Sequence, residues 1–141
     1  MHLLDVNVLI ARADESHPHH HVTAVWMRRH AGSGWATCPL TENGMLRILG
    51  QPTYPGGTGS PDGALLSLRS MLAIPGHCFV ADDFSLPEGI PSLRGVTSSQ
   101  LTDLYLLALA VRHGGQFLTL DRRIDPAMVP GGASAYVQIE V

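Results

Sequence analysis

The chain has 141 residues, 45% of them apolar and 15% charged, with a net charge of −3. That length fits one domain, residues 1–141, able to bury roughly 70% of its unfolded surface without disulfides or a structural metal. The composition excludes a disordered chain, and no apolar run approaches the roughly 20 residues of a membrane-spanning helix. All nine basic residues are arginine. The lack of lysine excludes a P-loop phosphate clamp and a Schiff-base mechanism in this chain. Cys38 and Cys78 stand far apart and outside any metal-ligand spacing, so a reducing cytoplasm is the expected home. Leu3, Leu4 and Asp5 come directly after Met1-His2 with no basic stretch before them, which predicts no secretory signal.

In chain order, Leu3 to Asp5 reads as a buried strand passing into a short helix, and Asp14 to His21 as a proline-marked loop. Val22 to His30 reads as a helix with Val22, Val25, Trp26 and Arg29 on one side, ended by Gly32 and Gly34. Trp35 to Thr37 is a strand candidate, and Pro39 to Leu49 a helix with Leu40, Met45, Ile48 and Leu49 as its apolar positions. Gln51 to Gly59 is a Pro/Gly-rich loop, expected to be mobile and near a substrate groove. Ser60-Pro61 opens a helix to about Ala73 with Leu65, Leu68 and Leu72 inward. Cys78 to Val80 suits a strand and Asp82 to Gly95 an irregular connection. Thr97-Ser98-Ser99 caps the clearest helix, about Gln100 to His113, ended by Gly114-Gly115. Gln116 to Leu120 is a strand, Asp125 to Ala133 a loop, and Tyr136 to Ile139 a last strand. Helices alternate with short apolar strands, so the expected fold is one α/β domain with a mainly parallel sheet.

Four of the twelve acidic residues interrupt apolar segments: Asp5, Glu42, Asp103 and Asp121. Asp5 and Asp121 end strands; Glu42 and Asp103 lie near helix starts. In a parallel sheet these positions share one edge, the edge outside the carboxyl ends of the strands. Carboxylates brought together there repel, and a hard divalent cation relieves the repulsion. Such a cation also makes water nucleophilic and offsets charge on a phosphoryl oxygen, which suggests phosphodiester hydrolysis. Taken singly, each acid equally suits a turn or a helix N-terminus.

The segments that carry the acids resemble the PIN domain family, specifically its VapC-type toxins of toxin–antitoxin pairs. Leu3-Leu4-Asp5-Val6-Asn7-Val8-Leu9 is similar to the family's opening strand with its first acid, and Thr41-Glu42-Asn43-Gly44 to the segment with its Glu. Thr102-Asp103-Leu104-Tyr105-Leu106-Leu107-Ala108-Leu109-Ala110 resembles the helix with the third acid. Gly114-Gly115-Gln116-Phe117-Leu118-Thr119-Leu120-Asp121-Arg122 resembles the strand with the fourth. The resemblance spans nearly the whole chain. It implies about five parallel strands flanked by helices, Mg²⁺- or Mn²⁺-dependent cleavage of RNA, a homodimer, and a cognate VapB-type antitoxin. It also implies that Asp5, Glu42, Asp103 and Asp121 are the catalytic and metal-holding residues.

Asn7 and Thr119 face the same edge and are candidate hydrogen-bond partners behind the acids. Arg122, Arg123, Arg112 and Arg47 are candidate RNA contacts, since phosphate contacts position a substrate without reading its sequence. His17-Pro18-His19-His20-His21 reads as solvated polar surface at a loop–helix boundary rather than a zinc site. Trp26, Trp35, Leu65, Leu68 and Leu72 are core residues or partner-facing positions. A phosphatase of the haloacid dehalogenase type wants a second Asp where Asn7 stands, and a phosphoreceiver wants a strand-borne lysine; both fit poorly. A catalytically silent scaffold that binds RNA or protein is the alternative function.

Overall fold

A computed structural model describes residues 1–141. Five strands, β1 (His2–Leu4), β2 (Trp35–Thr37), β3 (His77–Phe79), β4 (Gln116–Thr119) and β5 (Tyr136–Gln138), form one sheet in the order β3-β2-β1-β4-β5. Every neighbouring pair is parallel. Seven helices flank it: α1 (Val6–Ala13), α2 (His20–His30), α3 (Pro39–Leu49), α4 (Pro61–Leu72), α5 (Leu86–Gly89), α6 (Leu101–Arg112) and α7 (Gly132–Ala135).

Parallel strands need helical crossovers, and those helices bury both faces of the sheet, so the strands carry apolar residues without a polar alternation. Adjacent residues of each strand therefore feed different cores. Leu3, Ala36 and Phe117 pack with α6 on one face. Leu4, Trp35 and Leu118 pack with residues of α1, α3 and α4 on the other. Leu104, Leu106, Leu107 and Leu109 of α6 are all buried, which fits a helix enclosed on most of its circumference rather than one stripe. Gly114 closes α6 with a φ of 66°, a left-handed conformation that costs a residue with a Cβ.

Several expected boundaries shift. α2 starts at His20, inside the expected loop, and buries Thr23, Ala24 and Met27. Of the side with Val22, Val25, Trp26 and Arg29, Val22 and Trp26 pack half-buried at the edge of that core, and Arg29 is exposed. Thr23 can be buried because its hydroxyl donates to the carbonyls of His19 (3.1 Å) and His20 (2.9 Å). Trp26 instead stacks on His30, with ring centroids 4.6 Å apart, while Trp35 is wholly buried. In α4 Leu68 is buried together with Ala64 and Met71; Leu65 and Leu72 are half-buried. Ser60 caps α4 through its hydroxyl, which accepts from the Gly63 N–H at 3.2 Å. α6 is preceded by a 3₁₀ turn over Ser98–Gln100, in which the Thr97 N–H donates to Gln100 Oε1 at 2.9 Å. The short helix α5 falls inside the segment expected to be irregular, and α7 begins at the end of the expected loop and runs past Ala133 to the last strand. Each is four residues long, too short to show a helical period in the sequence.

Candidate active site

Strand order reverses direction at β1, whose neighbours are β2 and β4. A crevice opens outside the carboxyl ends of strands at such a point. α1 and α3 follow β1 and β2, so their N-termini lie at that edge. α6 runs back toward β4, so its N-terminus lies there too. The resulting cleft, about 340 Å³, is lined by Asp5, Asn7, Asp103 and Asp121, with Arg47 and Arg123 on its walls. α1 and α3 approach closely because Gly44 has no side chain: a Cβ there would stand 2.7 Å from Val6 Cγ2.

Asp5 follows β1 directly and occupies the N-cap position of α1, yet its carboxylate makes no capping hydrogen bond. Its backbone N–H donates to the Leu118 carbonyl at 2.9 Å, which pins it beside β4. Its side chain is 4% exposed. Thr119 Oγ1 donates to Asp5 Oδ2 at 2.7 Å and accepts from Asn7 Nδ2 at 3.1 Å and from the Asp121 N–H at 3.0 Å. One hydroxyl thus uses its single proton and both lone pairs. Asn7 Oδ1 accepts from the Leu120 N–H at 3.2 Å. Asn7 and Thr119 therefore stitch the end of β4 to the start of α1 and fix the spacing of Asp5 and Asp121.

The three carboxylates differ in charge environment. Burial raises the proton affinity of Asp5, and the Thr119 hydroxyl offsets that only in part. Asp103, in the first turn of α6, is pushed up to about 7 by burial and then by the negative charges of Asp5 and Asp121. Asp121 is held below the usual carboxylate range by Arg123, whose Nε donates to Asp121 Oδ2 at 2.6 Å. The Tyr136 hydroxyl donates to the Asp121 carbonyl, and Gln100 Nε2 donates to the Arg123 carbonyl. Neither Tyr136 nor Gln100 is marked by the sequence, because each acts on a backbone oxygen 15 and 23 residues away.

Glu42 is not among the residues that line the cleft, although its neighbours Asn43 and Gly44 are. Thr37, the last residue of β2, donates to Glu42 Oε1 at 2.6 Å, and His77 Nε2 lies 2.8 Å from the same hydroxyl. Since the Thr37 proton goes to Glu42, His77 donates from Nε2. Of the candidate RNA contacts, Arg47 and Arg123 line the cleft and Arg122 is exposed beside it. Arg112 does not reach it. It lies at the far end of α6 from Asp103 and pairs with Asp83 at 3.0 Å. The Gly-rich loop also lies elsewhere. Tyr54 donates to Asp14 Oδ2 at 2.8 Å, beyond the C-terminus of α1, and this holds the loop at the opposite end of that helix from Asp5.

Three oxygen-donor side chains meeting in one cleft fit a hard divalent cation, because two of them have no cationic partner of their own. No three His, Cys, Asp or Glu side chains close into a ready-made cage.

No family model matches the chain. Among curated proteins it is similar to three ribonucleases of Mycobacterium tuberculosis. Ribonuclease VapC38 is 44% identical over 86% of this chain and 85% of that protein. Ribonuclease VapC39 is 39% identical over 92% and 94%, and ribonuclease VapC44 is 36% identical over 96% of both. In fold the chain is similar to a chain of VapBC2 from Rickettsia felis bound to a DNA fragment from their promoter. The TM-score is 0.59, at 11% identity over 85% of this chain and 87% of that one. Near-complete coverage at these identities settles the matter: the chain belongs to the VapC ribonuclease family.

Proposed function

We propose that this protein is a toxin of a toxin–antitoxin pair that hydrolyses RNA phosphodiester bonds with a divalent cation, Mg²⁺ or Mn²⁺. The observation that carries the proposal is the meeting of Asp5, Asp103 and Asp121 in one cleft, where burial and then its acidic neighbours push Asp103 up to about 7. When bound, a divalent cation supplies Lewis acidity: it offsets charge building on the phosphoryl oxygens and makes water nucleophilic near neutral pH. Asp5, Asp103 and Asp121 hold the cation, and Thr119 and Asn7 keep Asp5 and Asp121 at a fixed spacing. Glu42 is the fourth acid and acts from outside the first three, through water or after leaving the Thr37 hydroxyl. Arg47 and Arg123 face the entering phosphate; Arg122 is placed to contact RNA beyond the cleft mouth.

A VapB-type antitoxin is the proposed partner, supported by the fold neighbour, which is itself a VapBC complex. A homodimer and a cytoplasmic location complete the proposal. Both cysteines are free, and no helix is long and apolar enough to cross a membrane.

The experiment is cleavage of total bacterial RNA by the purified protein in Mg²⁺ or Mn²⁺ against EDTA, beside an Asp5→Asn control. Metal-dependent fragments missing from the control are the expected result. Folded, antitoxin-free protein that cuts nothing under any metal would favour a silent RNA- or protein-binding scaffold instead.

A further inference from the structure

Arg123 holds Asp121 with three donors. Its backbone N–H donates to Oδ1 at 3.0 Å, its Nε donates to Oδ2 at 2.6 Å, and its Nη2 pairs with the same Oδ2. Asp121 is mostly covered, with its side chain 19% exposed, whereas that of Arg123 is 63% exposed. The guanidinium therefore lies outside the carboxylate, at the mouth of the cleft. Its backbone is anchored independently, because Gln100 Nε2 donates to the Arg123 carbonyl. The side chain can let go of Asp121 without releasing the loop. Asp5 and Asp103 have no such partner, and Arg47, the other arginine on the cleft wall, pairs with no carboxylate.

Resting on the proposed metal-dependent reading, we infer that Arg123 serves two anions in turn: it occupies Asp121 in the free protein, yields Oδ2 to the divalent cation, and then takes the substrate phosphate. Oδ2 already accepts two guanidinium donors, so a cation that reaches it competes with Arg123 for the same lone pairs. Once displaced, the guanidinium keeps its charge and its planar fork, which suits a phosphodiester, and it stands where the strand must enter. With both the divalent cation and Arg123 present, the three ionised carboxylates are neutralised, and an incoming phosphate meets no net repulsion. Arg123 is thus a positioning residue with opposite effects on two ligands. It weakens the hold on metal and strengthens the hold on RNA.

The test compares the wild type with Arg123→Gln, Arg123→Lys, Arg47→Gln and Asp103→Asn. Free Mn²⁺ is measured by electron paramagnetic resonance during titration, and KM and kcat for a defined oligoribonucleotide are measured at saturating Mn²⁺. The expected result is Mn²⁺ affinity about two- to five-fold tighter in Arg123→Gln, the range of a lost partly exposed ion pair, together with a raised KM. Arg123→Lys keeps the charge but loses the fork and should fall between; it also gives the answer if Arg123→Gln does not fold. Arg47→Gln should raise KM while changing Mn²⁺ affinity less than about two-fold, because it touches no carboxylate. A purely structural arginine would weaken both ligands when replaced. Unchanged or weaker Mn²⁺ binding in both Arg123 variants overturns the inference and leaves the metal-dependent reading standing. Failure of the wild type to bind Mn²⁺, or binding that survives Asp103→Asn, overturns that reading itself.

Discussion

Two strands of the sheet end in a threonine that donates to a carboxylate, and the two corners behave differently. Thr119 at the end of β4 donates to Asp5 at 2.7 Å, and Thr37 at the end of β2 donates to Glu42 at 2.6 Å. At the β4 corner two more acids arrive, Asp121 from the same strand's continuation and Asp103 from the start of α6. At the β2 corner the hydroxyl's other neighbour is His77, a donor, and no second acid appears. The local contact is the same in both places. What differs is which side chains turn into the crevice at the reversal of strand order: Asn43, Gly44 and Arg47 of α3 line it alongside Asp5, Asp103 and Asp121, whereas the Glu42 carboxylate is taken up by Thr37. A single acid held by a hydroxyl is a satisfied hydrogen bond. Three acids of which only Asp121 has an arginine partner leave an excess of negative charge that a cation can offset.

The largest expected effect follows from emptying the crowded corner. Asp5→Asn and Asp103→Asn should each cut RNA cleavage by at least ~100-fold, since losing even an outer partner of a metal ligand typically costs 10–100-fold. Circular dichroism should show the fold retained. Glu42→Gln, at the sparse corner, should lose only ~10-fold by the same scale; an equal loss at both corners would erase the distinction drawn between them. Thr119→Val tests the hydroxyl at the centre of the network. It removes the donor to Asp5 Oδ2 and the acceptor of Asn7 Nδ2 and the Asp121 N–H, and should cost ~1–3 kcal/mol in denaturant unfolding.

A smaller effect is the pH dependence of the metal-free protein. Asp103 binds its proton more tightly folded than unfolded, with a folded value of about 7. Its contribution to stability is therefore fully present below the unfolded pKa of about 4 and is lost as pH rises toward and through 7. After allowance for solvent screening of a partly buried group, the loss is ~1–2 kcal/mol, a fall of a few degrees in Tm. Asp103→Asn should flatten that slope, and Mg²⁺ should reverse it, because the cation favours the ionised form. The smallest effect belongs to Arg112→Ala. Its pair with Asp83 is exposed, and the change should shift stability by under ~0.5 kcal/mol and leave KM for RNA untouched.

Much of the molecule was legible in the sequence because burial on both sheet faces leaves long apolar runs that only an acid can interrupt. Asp5, Asp103 and Asp121 stood out against Leu-rich surroundings for that reason, and the alternation of helix and strand placed all three at one edge. The placement of Glu42 was not legible. Being near a helix start brings it to the correct edge, where Asn43, Gly44 and Arg47 of the same helix line the cleft, but its carboxylate is held by Thr37, a contact that spacing along the chain does not encode. Arg112 has the same origin: a helix of twelve residues separates its two ends by about 17 Å, and an arginine in the last turn of α6 cannot share a cleft with Asp103 in the first. The misread face of α2 reflects a polar residue, Thr23, whose hydroxyl is satisfied within its own helix and so costs little to bury. Gln100 and Tyr136 act on backbone carbonyls, contacts that leave no pattern of residue types to read.

The most direct test of the central claim is a crystal soaked in Mn²⁺ and measured at a wavelength where manganese scatters anomalously. The account predicts an anomalous peak among the carboxylates of Asp5, Asp103 and Asp121 in the β1–β4 cleft. A peak seated instead between Glu42 and His77, or none at Mn²⁺ concentrations that support RNA cleavage, would contradict it.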